Sequence, residues 1–402
     1  MKNLVLRNLF FYWTIGCFAL LPLVSNADDS IENLSLKDTI EMAIDANLNL
    51  KQSREEVKAA EENRKASITQ FFPTLSASYD YLHRNKEVTQ ELTGLGTGPD
   101  FVVTPDDQYT FVTSFNQPIF RGFSLINQYK VADLGLDAAE FGEKITRQDV
   151  ILDAKNAFDS VLKAEKLLGV VKQRVTQIDA QKEVAENFYE VGMSPLNDLL
   201  EAQASLANAR QDFIVAQNNL AIAKSQFNII LRRPVNAPVK IEDILDYAPF
   251  VYDFNYCLEA AKENRLEITV ADLEVEIAEK EVNLAKKDYF PSVNVRGNYV
   301  RTGDDYKAKG GEGISDSAKW QVQAIAEWDF WQWGRTHFGV REKLHRFSQA
   351  QYRRSQILDN IELEVKTSFL RTKESEKNII TVEKAIEQAK ENFRINQELS
   401  LI

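Results

Sequence analysis

Two periodicities divide this chain. Between Phe123 and Val191 there is no proline, and Ala154, Val161, Leu168 and Val175 recur every seven positions. Ala157, Ala164, Val171, Ile178 and Ala185 do the same, three positions out of phase. A second stretch repeats the pattern more cleanly: Leu199, Leu206, Phe213, Leu220 and Phe227 form one row, and Ala202, Ala209, Ala216, Ala223 and Ile230 the other. An apolar stripe with a period of roughly 3.5 residues keeps facing a partner helix only if the helices supercoil to the left. The rows set bulky residues against small ones. The spacing therefore predicts two long, closely packed antiparallel helices, the first on the order of 100 Å at ~1.5 Å per residue. Between them Gly192 is placed to end the first helix in the left-handed conformation. Ser194 is expected to cap the second, with Pro195 at its first position and Asp198 in its first turn. On pattern alone, a plain structural hairpin accounts for residues 192–198 as well as a binding tip does.

Elsewhere the period drops to two. After Phe72-Pro73, Leu75, Ala77, Tyr79 and Tyr81 alternate with Ser76, Ser78 and Asp80, which predicts a strand over 74–82. Tyr109, Phe111, Thr113 and Phe115 alternate with Thr110, Val112, Ser114 and Asn116 over 109–117. Val293, Val295, Gly297 and Tyr299 alternate with Ser292, Asn294, Arg296 and Asn298 over 292–300. Trp320, Val322, Ala324, Ala326 and Trp328 alternate with Gln321, Gln323, Ile325 and Glu327 over 319–329. Each segment is about the ~9–11 residues of a tilted transmembrane strand, with one apolar and one largely polar face. Tyr81, Tyr299, Trp320 and Trp328 stand near strand ends, where aromatic girdles meet membrane–water interfaces. The stretches 83–108 and 301–318 read as exposed loops. Two soluble hairpins packed on the helices would explain the alternation equally well segment by segment.

The chain also repeats itself. Ala43 to Tyr79 matches Ala260 to Tyr299 in pattern, with Phe72-Pro73 against Phe290-Pro291. Phe120-Arg121-Gly122 falls near Phe330 and Gly334-Arg335, and KNAFDSVLKAEKLL from Lys155 lies against KTSFLRTKESEKNI from Lys366. The shared order is short helix, helix, strand, loop, strand, long helix. This divides the chain into a first repeat over 28–231, an inter-repeat segment over 232–253 and a second repeat over 254–402.

Composition narrows the function. The formal net charge is −12 over 402 residues, which argues against a nucleic-acid binder. With 2 Cys and 3 His, neither a Cys/His zinc site nor a disulfide scaffold is expected, and no cofactor or metal is predicted. Residues 1–27 read as a secretory leader: Lys2 and Arg7, an apolar run from Leu9 to Val24, and Ser25-Asn26-Ala27 before Asp28. Cys17 after Thr14-Ile15-Gly16 offers a second, lipoprotein reading. No later segment approaches the ~20 apolar residues of a spanning helix, so further membrane contact would have to come through strands. Four such strands cannot close a barrel, and lipid does not tolerate open edges. Two chains would give a barrel filled with side chains; three would leave room for a lumen.

The duplicated helix–strand–strand–helix plan, the Phe-Pro entry into the strands and the turn Gly192…Asp198-Leu199-Leu200-Glu201-Ala202 together resemble the TolC-like outer membrane efflux protein family. The resemblance covers essentially all of the mature chain. It implies an α+β membrane protein in which long antiparallel coiled-coil helices join four transmembrane β-strands per protomer. Three protomers would then form a 12-stranded β-barrel in the outer membrane, continued by an α-helical periplasmic tunnel. Such a homotrimer is the exit duct of a tripartite efflux pump or a type I secretion system. Its partners would be a periplasmic adaptor, or membrane fusion protein, and an inner-membrane transporter, with no nucleic acid. Carried over, Gly192, Ser194, Pro195 and Asp198 would form the first-repeat periplasmic tip that contacts the adaptor, with Asp198 near the closed aperture. Residues 232–253 and the segment before Leu36 would build the equatorial region. By the offset between Lys155 and Lys366, the partner of Gly192 would fall just past Ile402, so a second tip turn and last long helix are expected to be missing from this sequence.

Two alternatives compete. An enzyme is disfavoured: His83 and His345 have no partner pattern, His337 follows a Trp-rich stretch, and Glu55-Glu56 and Glu61-Glu62 sit on charged helix faces. A soluble periplasmic coiled-coil adaptor or scaffold explains the heptads and the leader but not four alternating strands with aromatic ends. Asp80, Glu327 and Asp329 against Arg296 predict a cation-preferring lumen.

Overall fold

The computed structural model describes residues 33–90, 101–315 and 318–399. The predicted leader, Cys17 and the last residues of the sequence lie outside the described residues. The chain begins with strand β1 (Asn33–Leu34), followed by helices α1 (Leu36–Ala46) and α2 (Leu48–Thr69). A capping box starts α1: the Asp38 backbone N–H donates to Ser35 Oγ, and the Ser35 N–H donates to the Asp38 carboxylate, each at 3.2 Å. Asn47 ends α1 in extended backbone while its side chain accepts from Leu50 N–H at 3.0 Å, so one residue closes one helix and opens the next. Strands β2 (Thr74–His83), β3 (Val88–Gln90), β4 (Phe101–Thr104) and β5 (Asp107–Arg121) lead into α3 (Ser124–Glu190) and α4 (Leu196–Ile230). The second half runs β6 (Lys240–Ile241), α5 (Phe254–Asn264), α6 (Leu266–Ala285), a 3-10 turn (Lys286–Tyr289), β7 (Ser292–Gly303), β8 (Lys319–Glu327) and α7 (Arg335–Leu399). The second repeat thus re-enacts the first: Asp253 caps α5 by accepting from Tyr256 N–H at 2.7 Å, and Arg265 links α5 to α6 as Asn47 links α1 to α2.

The heptad rows face inward as their period requires. Ala154, Ala157 and Val161 of α3 are buried, as are Leu199, Leu206, Ala209, Ala216, Ala223 and Phe227 of α4. At 67 residues, α3 is on the order of 100 Å long. The densest core lies partway along it, where α1, α3, α4 and the β1–β6 ladder meet around Phe158, Phe227 and Leu50, none of which is exposed. Asn228, equally buried, donates to the carbonyls of Val235 and Ala237 at 3.1 and 2.9 Å and folds the chain after α4 back onto the bundle.

The β1–β6 ladder is parallel, Leu34 opposite Ile241. It joins the segment before Leu36 to the inter-repeat segment. Two residues per strand carry no readable alternation, so neither strand is visible in the sequence. Beyond β6 the chain runs as a strap: Asp243 pairs with Lys166 of α3, and Phe250 reaches α7, where its N–H donates to Glu376 Oε1 at 2.7 Å and Lys373 Nζ donates to its carbonyl at 2.8 Å. Lys373, and then the Phe250 N–H, hold the Glu376 carboxyl below its ordinary pKa; Lys166 does the same for Asp243.

Both passages from strand to long helix turn through two successive left-handed residues. They are Gly122 and Phe123 before α3 (φ 57° and 64°) and Trp333 and Gly334 before α7 (φ 50° and 85°). At Gly122 a side chain has no room: a Cβ would lie 2.2 Å from the carbonyl oxygen of Lys287.

Candidate functional site

Strands β2, β5, β7 and β8 form one antiparallel sheet in the order β2-β5-β7-β8. The cross-strand register sorts every strand by chemistry. Leu75, Ala77, Tyr79 and Tyr81 of β2 stand opposite Phe115, Thr113, Phe111 and Tyr109 of β5. Phe115 and Thr113 in turn face Gly297 and Tyr299 of β7, which face Val322 and Trp320 of β8. That face is apolar at these positions, with Arg301 opposite Phe111 and Gln117 opposite Val295 nearer its two ends. On the other, Ser76, Ser114, Asn298 and Gln321 make one row, and Thr74, Asn116, Arg296 and Gln323 make the next. A one-residue slip in any strand would mix the two faces, so the pattern specifies the register.

The structure moves five strand ends: β2 reaches His83 and β5 begins at Asp107, and three further ends shift as follows. β5 runs on to Arg121 rather than stopping at 117, because the missing N–H of Pro118 is absorbed by a bulge between Pro118 and Phe120. β7 continues to Gly303. β8 stops at Glu327, which leaves Trp328 and Asp329 in the corner before α7. Both sheet edges, β2 and β8, are unpaired within the described residues, and they run in opposite directions.

Tyr81 stacks on Tyr109 with ring centroids 4.8 Å apart, near the end of the sheet remote from the helices. Tyr299 stands opposite Trp320 toward the same end. Trp328 lies at the helix-proximal end beside Phe330, with Trp331 and Trp333 following. Trp320 and Trp333 are 77% and 86% exposed, which is costly for indoles in water and suited to a lipid interface. Tyr109, Phe330, Trp331 and Trp333 stand in the same two aromatic clusters; the density of aromatics from Trp328 to Trp333 was the signal for the last three. His83 has a partner after all: its Nδ1 lies 2.8 Å from Asp107 Oδ1. The strand register supplies that neighbour from 24 residues away, so local pattern could not.

The turn at 192–198 is built differently from expectation at one point. Gly192 has φ 73°, its N–H donates to Tyr189 O, and the Met193 N–H donates to Phe188 O, the paired bonds of a Schellman stop. Helix α4 begins at Leu196 with Pro195, not Ser194, as N-cap. The Ser194 hydroxyl donates to Asp198 Oδ2 at 2.6 Å, and Ser194 lies one residue before the cap position. Val191, Met193, Leu196 and Leu200 around this turn are exposed.

The family model for outer membrane efflux proteins matches residues 39–229 and 257–399. Outer membrane protein TolC of Escherichia coli K12 is 24% identical over 183 residues, 46% of this chain and 37% of the relative. Outer membrane protein TolC of Vibrio cholerae serotype O1 is 22% identical over 207 residues, 50% of this chain and 47% of the relative. The matched stretches thus span under half the length of these curated relatives. Among solved structures, the outer membrane protein VceC from Vibrio cholerae superposes with a TM-score of 0.74 at 16% identity, over 89% of this chain and 83% of that one. The Campylobacter jejuni CmeC outer membrane channel gives 0.68 at 14%, over 81% and 68%. These likenesses show the fold: long helices joined to a sheet of amphipathic strands. With most of both repeats inside the matched residues, the chain belongs to the outer membrane efflux protein family.

Proposed function

We propose that this protein is the outer membrane exit duct of a tripartite efflux pump or type I secretion system, conducting solutes passively from a periplasmic complex to the exterior. The observation that carries this reading is the two-faced sheet with two unpaired edges. Lipid accepts strands only in a closed barrel. Because β2 and β8 run oppositely, β8 of one copy can continue the antiparallel sheet against β2 of the next. Three copies close twelve strands around a lumen, with the Leu75–Phe115 face toward lipid and the Ser76–Asn298 face toward water. The soluble-scaffold alternative would leave that apolar face and its aromatic belts in water.

The proposed architecture follows the repeats: 28–231, an equatorial segment 232–253, and 254–402. Tyr81, Tyr299 and Trp320 form the outer girdle, and Trp328 the inner one. Gly192, Ser194, Pro195 and Asp198 form the periplasmic tip, whose exposed Val191, Met193 and Leu196 suit contact with an adaptor that links the duct to an inner-membrane transporter. Asp198 helps hold that end closed. The duct is no catalyst; transport energy comes from its partners.

Fractionation tests the reading. The protein should remain with outer membranes through high salt and leave only in detergent, migrating as a trimer. A cysteine pair placed on β2 and β8 should cross-link between copies. Release as a monomer in buffer would exclude the duct.

A further inference from the structure

We infer that Arg296 gives the barrel lumen a preference for anions, so that carboxylates, sulfates and phosphates are the favoured class of solute. The inference rests on the duct reading, which turns the polar face of the sheet toward the lumen. The register identifies the charges on that face: Asp80 and Glu327 are acidic, and Arg121, Arg296 and Lys319 are basic. The cation preference expected from sequence relied on Asp329, which lies beyond the end of β8, and overlooked Lys319 and Arg121. Those two residues share a face with Arg296 only once the strand pairing is known.

Position matters more than the sum. Arg121 and Glu327 both stand on the row of Ser292, at the end joined to the helices, so that mouth mixes both signs. Lys319 lies across from Val300 toward the other end, where Asp80 also stands. Arg296 occupies the middle, among groups that cannot ionise. Thr74, Asn116 and Gln323 share its row; Asn298 and Gln321 lie on one side of it, and Asn294 and Ile325 on the other. Along β7, the Ser292 and Val300 rows are each about 13 Å away at ~3.3 Å per residue. That exceeds the screening length of about 8 Å at physiological salt. The Arg296 guanidinium therefore acts on a passing ion largely uncompensated. Three copies would set three guanidinium groups in one ring inside a low-dielectric wall, the arrangement that selects anions in other pores. Its planar fork of donors also matches oxyanions in geometry.

The test uses the full chain, purified in detergent and inserted into planar bilayers under a KCl gradient. The wild-type reversal potential should favour chloride. R296K should keep that sign, R296Q should lose most of the preference, and R296E should invert it, with trimer mobility on an unheated gel confirming assembly of each variant. The preference should also fade toward 1 M salt, where screening shortens to about 3 Å; this needs no variant at all. A potassium-preferring wild-type channel, an R296E channel with unchanged reversal potential, or a preference insensitive to salt would each overturn the role of Arg296. Complete absence of conductance from assembled wild-type protein would instead sink the duct reading.

Discussion

The two repeats share a plan, but their matching phenylalanines are packed differently among the described residues. In the first, Phe158 of α3 is wholly buried, 6.5 Å from Phe227 of α4, and the heptad rows of α3 beyond it are covered by that partner helix. In the second, the matching Phe369 of α7 is only half-buried. It packs on Phe250 of the strap and Phe254 of α5, at 6.4 and 5.9 Å. Further along α7, Ile380, Val382, Ile386 and Phe393 remain exposed. Among the described residues, the matching phenylalanine is packed by a partner helix in one half and by the strap and α5 in the other. A repeat in sequence specifies which face is apolar; only the neighbour decides whether that face becomes a core.

The sharpest way to break this comparison is to truncate both phenylalanines. Phe158→Ala should cost about 3–5 kcal/mol, the usual range for a fully buried aromatic, while Phe369→Ala should cost clearly less. Thermal unfolding in detergent measures both, and equal losses would mean that the halves are equally packed. Next in size, Asn228→Ala should cost about 1–3 kcal/mol, because the carbonyls of Val235 and Ala237 lose their buried donor. No comparable loss should follow Asn264→Ala, whose side chain donates to Ala260 O on an exposed helix.

Acid should then loosen the strap that joins the halves. Asp243 and Glu376 both titrate below their ordinary values of 3.8 and 4.5. A depressed folded pKa stabilises the folded form above those values, and the effect is lost as pH falls through the folded pKa. Protease cleavage between Asp243 and Phe250 should therefore rise as pH drops below about 4. In Glu376→Gln, whose carboxamide cannot be titrated, the α7 end of the strap should lose that dependence while the Asp243 end keeps it. The smallest effect belongs to the turn between α3 and α4: Ser194→Ala should change stability by less than about 1 kcal/mol, since the bond to Asp198 is exposed. A larger drop would show that the hydroxyl organises the turn.

Much of this was legible because burial imposes a period. Leu206 and Ala209 announced a seam before any partner was known, and Leu75 through Tyr81 announced a face. What escaped depends on register or on neighbours distant in sequence. Lys319 and Arg121 join Arg296 only through strand pairing, His83 finds Asp107 the same way, and the Lys373–Phe250–Glu376 clasp spans more than a hundred residues. In the turn after α3, Ser194 fitted the rule for a helix cap, yet the helix opens one residue later, with Pro195 at the cap.

The parallel pairing of Leu34 with Ile241 also constrains biogenesis. A polypeptide emerges amino end first, so Leu34 appears when its mate is still some two hundred residues from synthesis. The hub around Phe158 needs Phe227 and Ile241 before it can seal. The earliest-made helices must therefore wait, with their greasy sides uncovered, until more than half of the chain has followed. That interval is when a holding chaperone would matter most.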